Sequence, residues 1–171
     1  MDFYLQRLQN AIVSVTEGMS AELLRQHPGG KWCTAEILEH LYLTYTGTIK
    51  GFERCLQADK PLARIPTWND RFRTFVVVGI GHLPHGRTAP KNATPRGLPT
   101  EQVLSEVADK IAMMDAVITR AEEKFGRDTR LLDHPILGPL QGREWRKFHW
   151  VHGRHHVKQI ASLRGASPGG R

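Results

Sequence analysis

Apolar residues recur at helical spacing in four long stretches of the chain, and this pattern predicts four amphipathic helices. Pro28 with two following glycines breaks the pattern after the first helix, and Gly126 ends the third. Four amphipathic helices joined by one long crossover favour an all-α, up-down four-helix bundle. The predicted helices cover residues 1–25, 34–56, 100–125 and 142–164.

The crossover between the second and third predicted helices spans about residues 57–98 and contains five prolines. A connection of that length without structure is unusual in a compact domain, so we expect part of it to be ordered. The ordered part is placed at 68–80, either as a short helix, which is favoured, or as an extended piece through Val76, Val77 and Val78. Trp68 is a candidate lid over a pocket. The domain is expected to cover residues 1–165, with 166–171 as a flexible tail.

Composition is that of one soluble globular domain: 171 residues, 40% of them apolar and 24% charged. No stretch approaches the roughly 18 apolar residues of a membrane span, and the N-terminal residues do not resemble a signal peptide. Two cysteines make no disulfide framework. We therefore expect a cytoplasmic protein without a membrane partner.

The net charge of +7 is concentrated near the C-terminus. Residues 142–164 contain six Lys or Arg and one Glu, a net charge of +5. This surface either is a solvated helix face or attracts an anionic substrate or nucleic acid. Nucleic-acid binding is the less favoured interpretation, because no recognised motif accompanies the charge.

Three histidines form the strongest candidate for chemistry. His152 and His156 are four residues apart, so they lie about 40° apart on one face of a helix. With His40 from the second helix they could hold a metal and leave a position open for water or substrate. Imidazole suits zinc, nickel, copper and iron. Zinc or nickel is expected here, with iron or manganese as alternatives. The competing explanation is chance spacing on a basic helix, and His155 is an alternative ligand.

Three further residues are candidates for supporting roles. Glu36 could orient a ligand histidine through its second ring N–H, or could stabilise the helix N-terminus. The hydroxyl of Thr44 could contact metal-bound water, but a bond back to the His40 carbonyl is favoured. His149 could line the pocket or carry protons, but packing between helices is favoured.

Two sequence segments carry a resemblance to a known family. WCTAEILEHL (residues 32–41) and VHGRHHVKQI (residues 151–160) resemble the DinB/YfiT-like superfamily of four-helix-bundle metalloproteins, and HPILGPL (residues 134–140) with the later Glu144 and Trp145 resembles an uncharacterised branch of it. The resemblance implies a DinB-like bundle. It also places His40, His152 and His156 at the metal-ligand positions.

The resemblance and the histidines together predict a divalent-metal-dependent enzyme. It would act through metal-activated water as a hydrolase, or through a thiolate as a low-molecular-weight-thiol S-transferase. The substrate is expected to be a small molecule, a thiol or an anionic compound, and a homodimer is expected. The alternatives are a non-enzymatic metal-binding or stress-related bundle and, less favoured, a nucleic-acid-binding module that uses the basic last helix.

Overall fold

The computed structural model describes residues 1–27, 29–83 and 89–166. Within these residues the chain is mainly helical, with six α-helices and one two-stranded antiparallel sheet. A π-helical turn, Phe75–Ile80, follows α4, and a short 3₁₀ turn, Lys91–Ala93, precedes α5. The elements are α1 (Phe3–Thr16), α2 (Ala21–Arg25), α3 (Thr34–Gln57), α4 (Trp68–Thr74), α5 (Thr100–Phe125), β1 (Arg130–His134), β2 (Gly138–Gln141) and α6 (Gly142–Ala166).

The four long helices contribute the apolar core. Helix α3 packs along α5, and α1 packs along α6. Most of the apolar stripe predicted for each helix is buried, although Phe3 at the start of α1 is 66% exposed. The mainly helical character expected from the sequence is confirmed. Fully buried side chains include Leu5, Leu8 and Ile12 of α1, Leu38, Leu41 and Tyr45 of α3, Ile111, Met114 and Ile118 of α5, and Ile160 of α6.

The first predicted helix is wrong in one respect, because it is two helices. Helix α1 ends at Thr16, and Gly18 then has a φ of 71°, a left-handed conformation that glycine adopts without a steric cost. The hydroxyl of Ser20 then caps α2 by accepting a hydrogen bond from the backbone N–H of Leu23. Apolar periodicity continues across this break, which is why the pattern alone reads as one helix.

The all-α prediction missed a β-hairpin between α5 and α6. Strands β1 and β2 pair in antiparallel register, with His134 opposite Gly138 and Leu132 opposite Leu140. Gly138 has a φ of 76°, and a side chain there would meet the carboxylate of Asp70. A glycine is therefore required where the hairpin turns and contacts the crossover.

The expected short helix in the crossover is confirmed as α4, which is anchored to the hairpin. The Arg64 guanidinium donates to both carboxylate oxygens of Asp70, at 2.6 and 3.0 Å, and the Arg64 backbone N–H donates to Asp133 of β1. The Thr74 hydroxyl donates to the Leu137 carbonyl. Trp68, the candidate lid, is 86% exposed and is not among the described residues that line the cavity, so it does not cover a pocket in this structure.

Helix α6 extends to Ala166, slightly beyond its predicted end. The rest of the predicted tail, residues 167–171, lies outside the described residues. Gly153 lets α6 approach α1 closely, because a Cβ at this position would overlap the Leu8 side chain. None of the helices in the described part of the chain combines the length and apolar character that spanning a membrane needs.

A buried ion-pair network fixes α6 against α5. Arg146 is 7% exposed, and its guanidinium donates to Asp115 at 2.7 Å, to Glu122 at 2.8 Å and to the Thr119 hydroxyl at 2.9 Å. Asp115 also accepts from the backbone N–H of Asp2 at 2.7 Å. Arg146 thus joins α6 to α5, and Asp115 connects the same network to the residue that caps α1.

We predict that Arg146→Ala lowers the free energy of unfolding by about 3–5 kcal/mol, because it leaves two buried carboxylates without their counter-ion. Chemical denaturation of the metal-free protein measures this loss. The control is Arg25→Ala, which removes an exposed pair with Glu101 and should cost no more than about 1 kcal/mol. Equal losses for the two variants would contradict the structural role of the network.

Candidate metal centre

His40 of α3 and His152 and His156 of α6 meet between the two helices. The Nε2 atom of His152 lies 3.2 Å from Nε2 of His40 and 3.1 Å from Nε2 of His156. Helical spacing explains the second distance, since residues four apart share a face. These three side chains form a group that could hold a metal ion.

Two of the three rings have fixed tautomers. Nδ1 of His40 is 2.7 Å from the carbonyl oxygen of Ala93, which can only accept, so the ring proton is on Nδ1. Nδ1 of His156 is 2.8 Å from Oε1 of Gln159. With these protons placed, each neutral ring presents the Nε2 lone pair to His152.

The spacing of the Nε2 atoms fits a tetrahedral metal. A zinc–nitrogen distance of about 2.0–2.1 Å at tetrahedral angles places ligand nitrogens about 3.3 Å apart, close to the two separations observed. Without a proton or a cation between them, lone pairs this close would repel. His152 differs from its neighbours in that its buried Nδ1 has no hydrogen-bond partner among the described residues.

Burial keeps the rings in the neutral form that binds metals. It lowers the pKa of His40 and lowers the pKa of His156 to about 4, the latter assisted by repulsion from His40. Burial and the neighbouring histidines hold the pKa of His152 well below its usual range. All three rings are therefore neutral near pH 7, so none has to lose a proton before it binds a metal.

The three histidines lie on the wall of a cavity of about 940 Å³. Its lining is mainly apolar and includes side chains from α3, the π-helical turn, the hairpin and α6. Its charged lining residues within the described chain are three cations and one carboxylate. They are Lys31, Arg54, Arg73 and Asp133.

Glu39 is a supporting residue that the sequence analysis missed. Glu39 is 3% exposed, and its carboxylate accepts backbone N–H bonds from Arg96 at 2.6 Å, Gly97 at 3.0 Å and Leu98 at 3.1 Å. The residue before His40 thereby holds the chain that follows Ala93. Because the Ala93 carbonyl fixes the His40 ring, Glu39 supports the three-histidine group through the backbone.

The two α3 candidates for support have local partners in this structure. The Glu36 carboxylate accepts from the backbone N–H of Cys33 at 2.9 Å, so it stabilises the start of α3. The His40 ring is instead oriented by Ala93. The Thr44 hydroxyl donates to the His40 carbonyl at 2.8 Å, as the sequence favoured, although Thr44 also lines the cavity.

His149 is fully buried between helices and is not among the described lining residues. Its Nε2 lies 3.1 Å from the Thr48 hydroxyl, and its ring stacks on Trp145 with centroids 5.8 Å apart. Burial lowers its pKa to about 3. This placement agrees with the packing alternative.

Two other histidine arrangements are present. His155 lines the cavity and contacts Gln159, with 3.2 Å between Nε2 atoms, and it lies beside the group rather than in it. A second cluster brings His27, Cys33 and Glu36 together near the start of α3. The His27 ring in that cluster is exposed, and its Nδ1 lies 3.5 Å from Glu36.

A protein-family model matches nearly the whole chain. Residues 1–162 match the model of a family described as "Protein of unknown function (DUF1569)". The chain belongs to this family. The matched region contains all three histidines as well as Glu39 and the hairpin, so fold and centre lie inside the DUF1569 region. No curated protein and no solved structure matches the chain.

We predict that Glu39→Ala weakens zinc binding by about 10–100-fold, because the Ala93 carbonyl loses its support and the His40 ring becomes free to turn. Competition with a chromophoric chelator measures the affinity. The control is Glu53→Ala, an exposed change on the same helix that should leave the affinity unaltered. An unchanged affinity in folded Glu39→Ala protein would contradict the proposed support.

We also predict that the metal-free protein loses stability as pH falls from about 6.5 towards 3. The unfolded chain takes up a proton at His149 near pH 6.5, whereas the folded protein does so only near its lowered pKa of about 3. Each such group adds up to about 1.4 kcal/mol per pH unit to the slope. Urea unfolding at several pH values should give a shallower slope for His149→Gln, which keeps an N–H donor for Thr48. Parallel slopes would contradict this account.

Proposed function

We propose that this protein is a divalent-metal-dependent enzyme of the DinB type, acting as a hydrolase or as a low-molecular-weight-thiol S-transferase. His40, His152 and His156 would hold the metal, with zinc or nickel favoured and iron or manganese as alternatives. The observation that carries this proposal is the convergence of three Nε2 atoms on a cavity wall, two of them on rings whose tautomers are fixed for metal binding.

The proposed architecture is the DinB-like up-down bundle, formed by α1, α3, α5 and α6 within a single domain of residues 1–165. The contacts of α3 with α5 and of α1 with α6 support it, as does the Arg146 network that joins α5 to α6. In this arrangement α3 and α6 supply the metal ligands, while the crossover and the hairpin add the walls of the cavity.

A three-histidine set leaves at least one coordination position for a water or a substrate group. When bound, a divalent cation lowers the pKa of a water or thiol ligand, so that a nucleophile is available near neutral pH. The chain's own contribution is to hold three neutral imidazoles in place, through Ala93 and Gln159, and to surround the centre with apolar side chains that limit water.

The proposed substrate is a small anionic or thiol-containing molecule with an apolar part. The cavity has room for one, since its volume lies within the roughly 300–1,000 Å³ of ligand pockets. Its cationic side chains outnumber its carboxylates, and the carboxylate of Asp133 already lies 3.8 Å from Nε of Arg64. The cavity therefore favours a negatively charged ligand.

The competing function is a non-enzymatic metal-binding bundle, which would share the ligands and lack turnover. A nucleic-acid surface on α6 has less support, because Arg146 is buried in ion pairs and Arg143 lies beside Asp128. The homodimer stays a prediction. A second copy would best cover the exposed apolar residues of the crossover. Within the described residues they are Leu62, Ile65, Trp68, Phe72, Phe75 and Ile80.

We predict that His40→Ala and His152→Ala each weaken zinc binding by more than about 100-fold, beyond the effect of removing an outer-shell partner. Chelator competition gives the affinities, and circular dichroism checks that the helices remain. The matched control is His155→Ala, which should bind zinc like the unaltered protein. Retained affinity in the two ligand variants would contradict the site.

Zinc- and nickel-loaded protein would then be screened against carboxylate esters, amides and thiol-plus-electrophile pairs. Turnover that a chelator abolishes and added metal restores is the expected result. Metal binding without turnover on any of these classes would favour the non-enzymatic alternative.

A further inference from the structure

His134 is a second feature of the cavity that the metal proposal does not use. It ends β1, and its Nδ1 accepts hydrogen bonds from the backbone N–H groups of Ile136 and Leu137, both at 3.1 Å. An atom that accepts two N–H bonds carries no proton, so the neutral ring must carry its proton on Nε2. The hairpin turn thus fixes the tautomer of this histidine.

The Nε2–H group of His134 has no hydrogen-bond partner among the described residues, and its nitrogen is not fully buried. The side chain lines the same cavity as His152. The Phe148 ring contacts both, with its centroid 4.3 Å from that of the His134 ring and 5.5 Å from that of the His152 ring, on which it stacks. The His134 donor and the three-histidine group therefore line one cavity, with a single phenylalanine ring in contact with both.

The neutral form of His134 is strongly favoured, because burial lowers its pKa to about 4. The ring therefore offers one N–H donor near pH 7 and no net charge. Positive charge comes from neighbouring lining residues, of which Arg73 adjoins the turn by donating to the Ile136 carbonyl at 3.4 Å. A donor next to a cation suits a carboxylate oxygen.

We infer that His134 is a substrate-positioning residue whose Nε2–H donates a hydrogen bond to the carboxylate of an organic acid bound in the cavity. The apolar lining would cover the hydrocarbon part of the same molecule. This inference rests on the proposed function for its meaning in catalysis, but binding of the acid can be measured without turnover. It names the substrate class as a carboxylate with an apolar chain.

Two substitutions separate the donor from the structural role of the ring. In His134→Asn the side-chain oxygen can still accept from the two backbone N–H groups, as asparagine does in turns, but nothing replaces Nε2–H. In His134→Gln the amide nitrogen can reach the Nε2 position, but the acceptor near the turn is lost. The first variant removes binding chemistry, and the second removes turn stabilisation.

The probe is hexanoate, titrated separately into metal-free and zinc-loaded protein and followed by protein amide NMR, with 1-hexanol as a ligand that lacks the carboxylate. We expect His134→Asn to weaken hexanoate binding by about tenfold or more, and His134→Gln by no more than about threefold. Thermal unfolding should show the reverse order, with Gln less stable than Asn. Hexanoate that binds equally well to the Asn variant, or does not bind the unaltered protein, would overturn the inference.

A direct measurement covers the case in which a variant fails to fold. Imidazole ¹H–¹⁵N correlations of the unaltered protein should show His134 protonated at Nε2, and hexanoate should shift this resonance. A proton on Nδ1, or no shift at saturating hexanoate, would overturn the inference. Zinc affinity measured on the same samples separates the proposals, since loss of zinc binding alone contradicts the metal centre and leaves the carboxylate result intact.

Discussion

The Nε2 atom of His152 lies 3.1–3.2 Å from the Nε2 atoms of His40 and His156, and this close approach constrains the residues around the three rings. Lone pairs at that distance repel unless a proton or a cation lies between them, and the surrounding chain must hold the rings against this repulsion. The Ala93 carbonyl and the Gln159 amide do so for His40 and His156 by accepting their Nδ1 protons. The three side chains that could hold a metal are therefore preorganised by contacts within the protein.

The long crossover and the hairpin supply the cavity walls that α3 and α6 do not provide. Helices α3 and α6 alone would present their histidines on an open face. The buried Glu39 carboxylate ties the end of the crossover to α3, and the Arg64 backbone N–H ties its start to Asp133 of the hairpin. The result is a large apolar cavity with a few polar groups placed at specific points on its wall.

The helices and two of the three candidate metal ligands were accessible from the sequence because each has a periodic signal. Helix α5 begins and ends where its apolar stripe and Gly126 predicted, and the four-residue spacing of His152 and His156 brings them together on α6. His40 was a candidate third ligand from its residue type, and the family resemblance added support, but no local pattern relates α3 to α6.

The features that were missed depend on contacts distant in sequence or on the backbone. The hairpin has short strands, and its turn passes through Pro135 and Ile136 and lacks an Asn-Gly pair. No local sequence pattern therefore predicts it. Glu39 resembles any polar helix residue until the chain 57 residues away folds over it. The Ala93 carbonyl carries no side-chain signal at all, and the break after α1 leaves the apolar spacing intact.

The most direct test of the account is the metal content of the native protein, purified without a histidine tag or a chelating resin. Inductively coupled plasma mass spectrometry should find about one equivalent of a transition metal per chain. A folded His40→Ala, His152→Ala double variant prepared in parallel should contain almost none. Native protein that contains no metal, and takes up neither zinc nor nickel when these are added, would contradict the central claim.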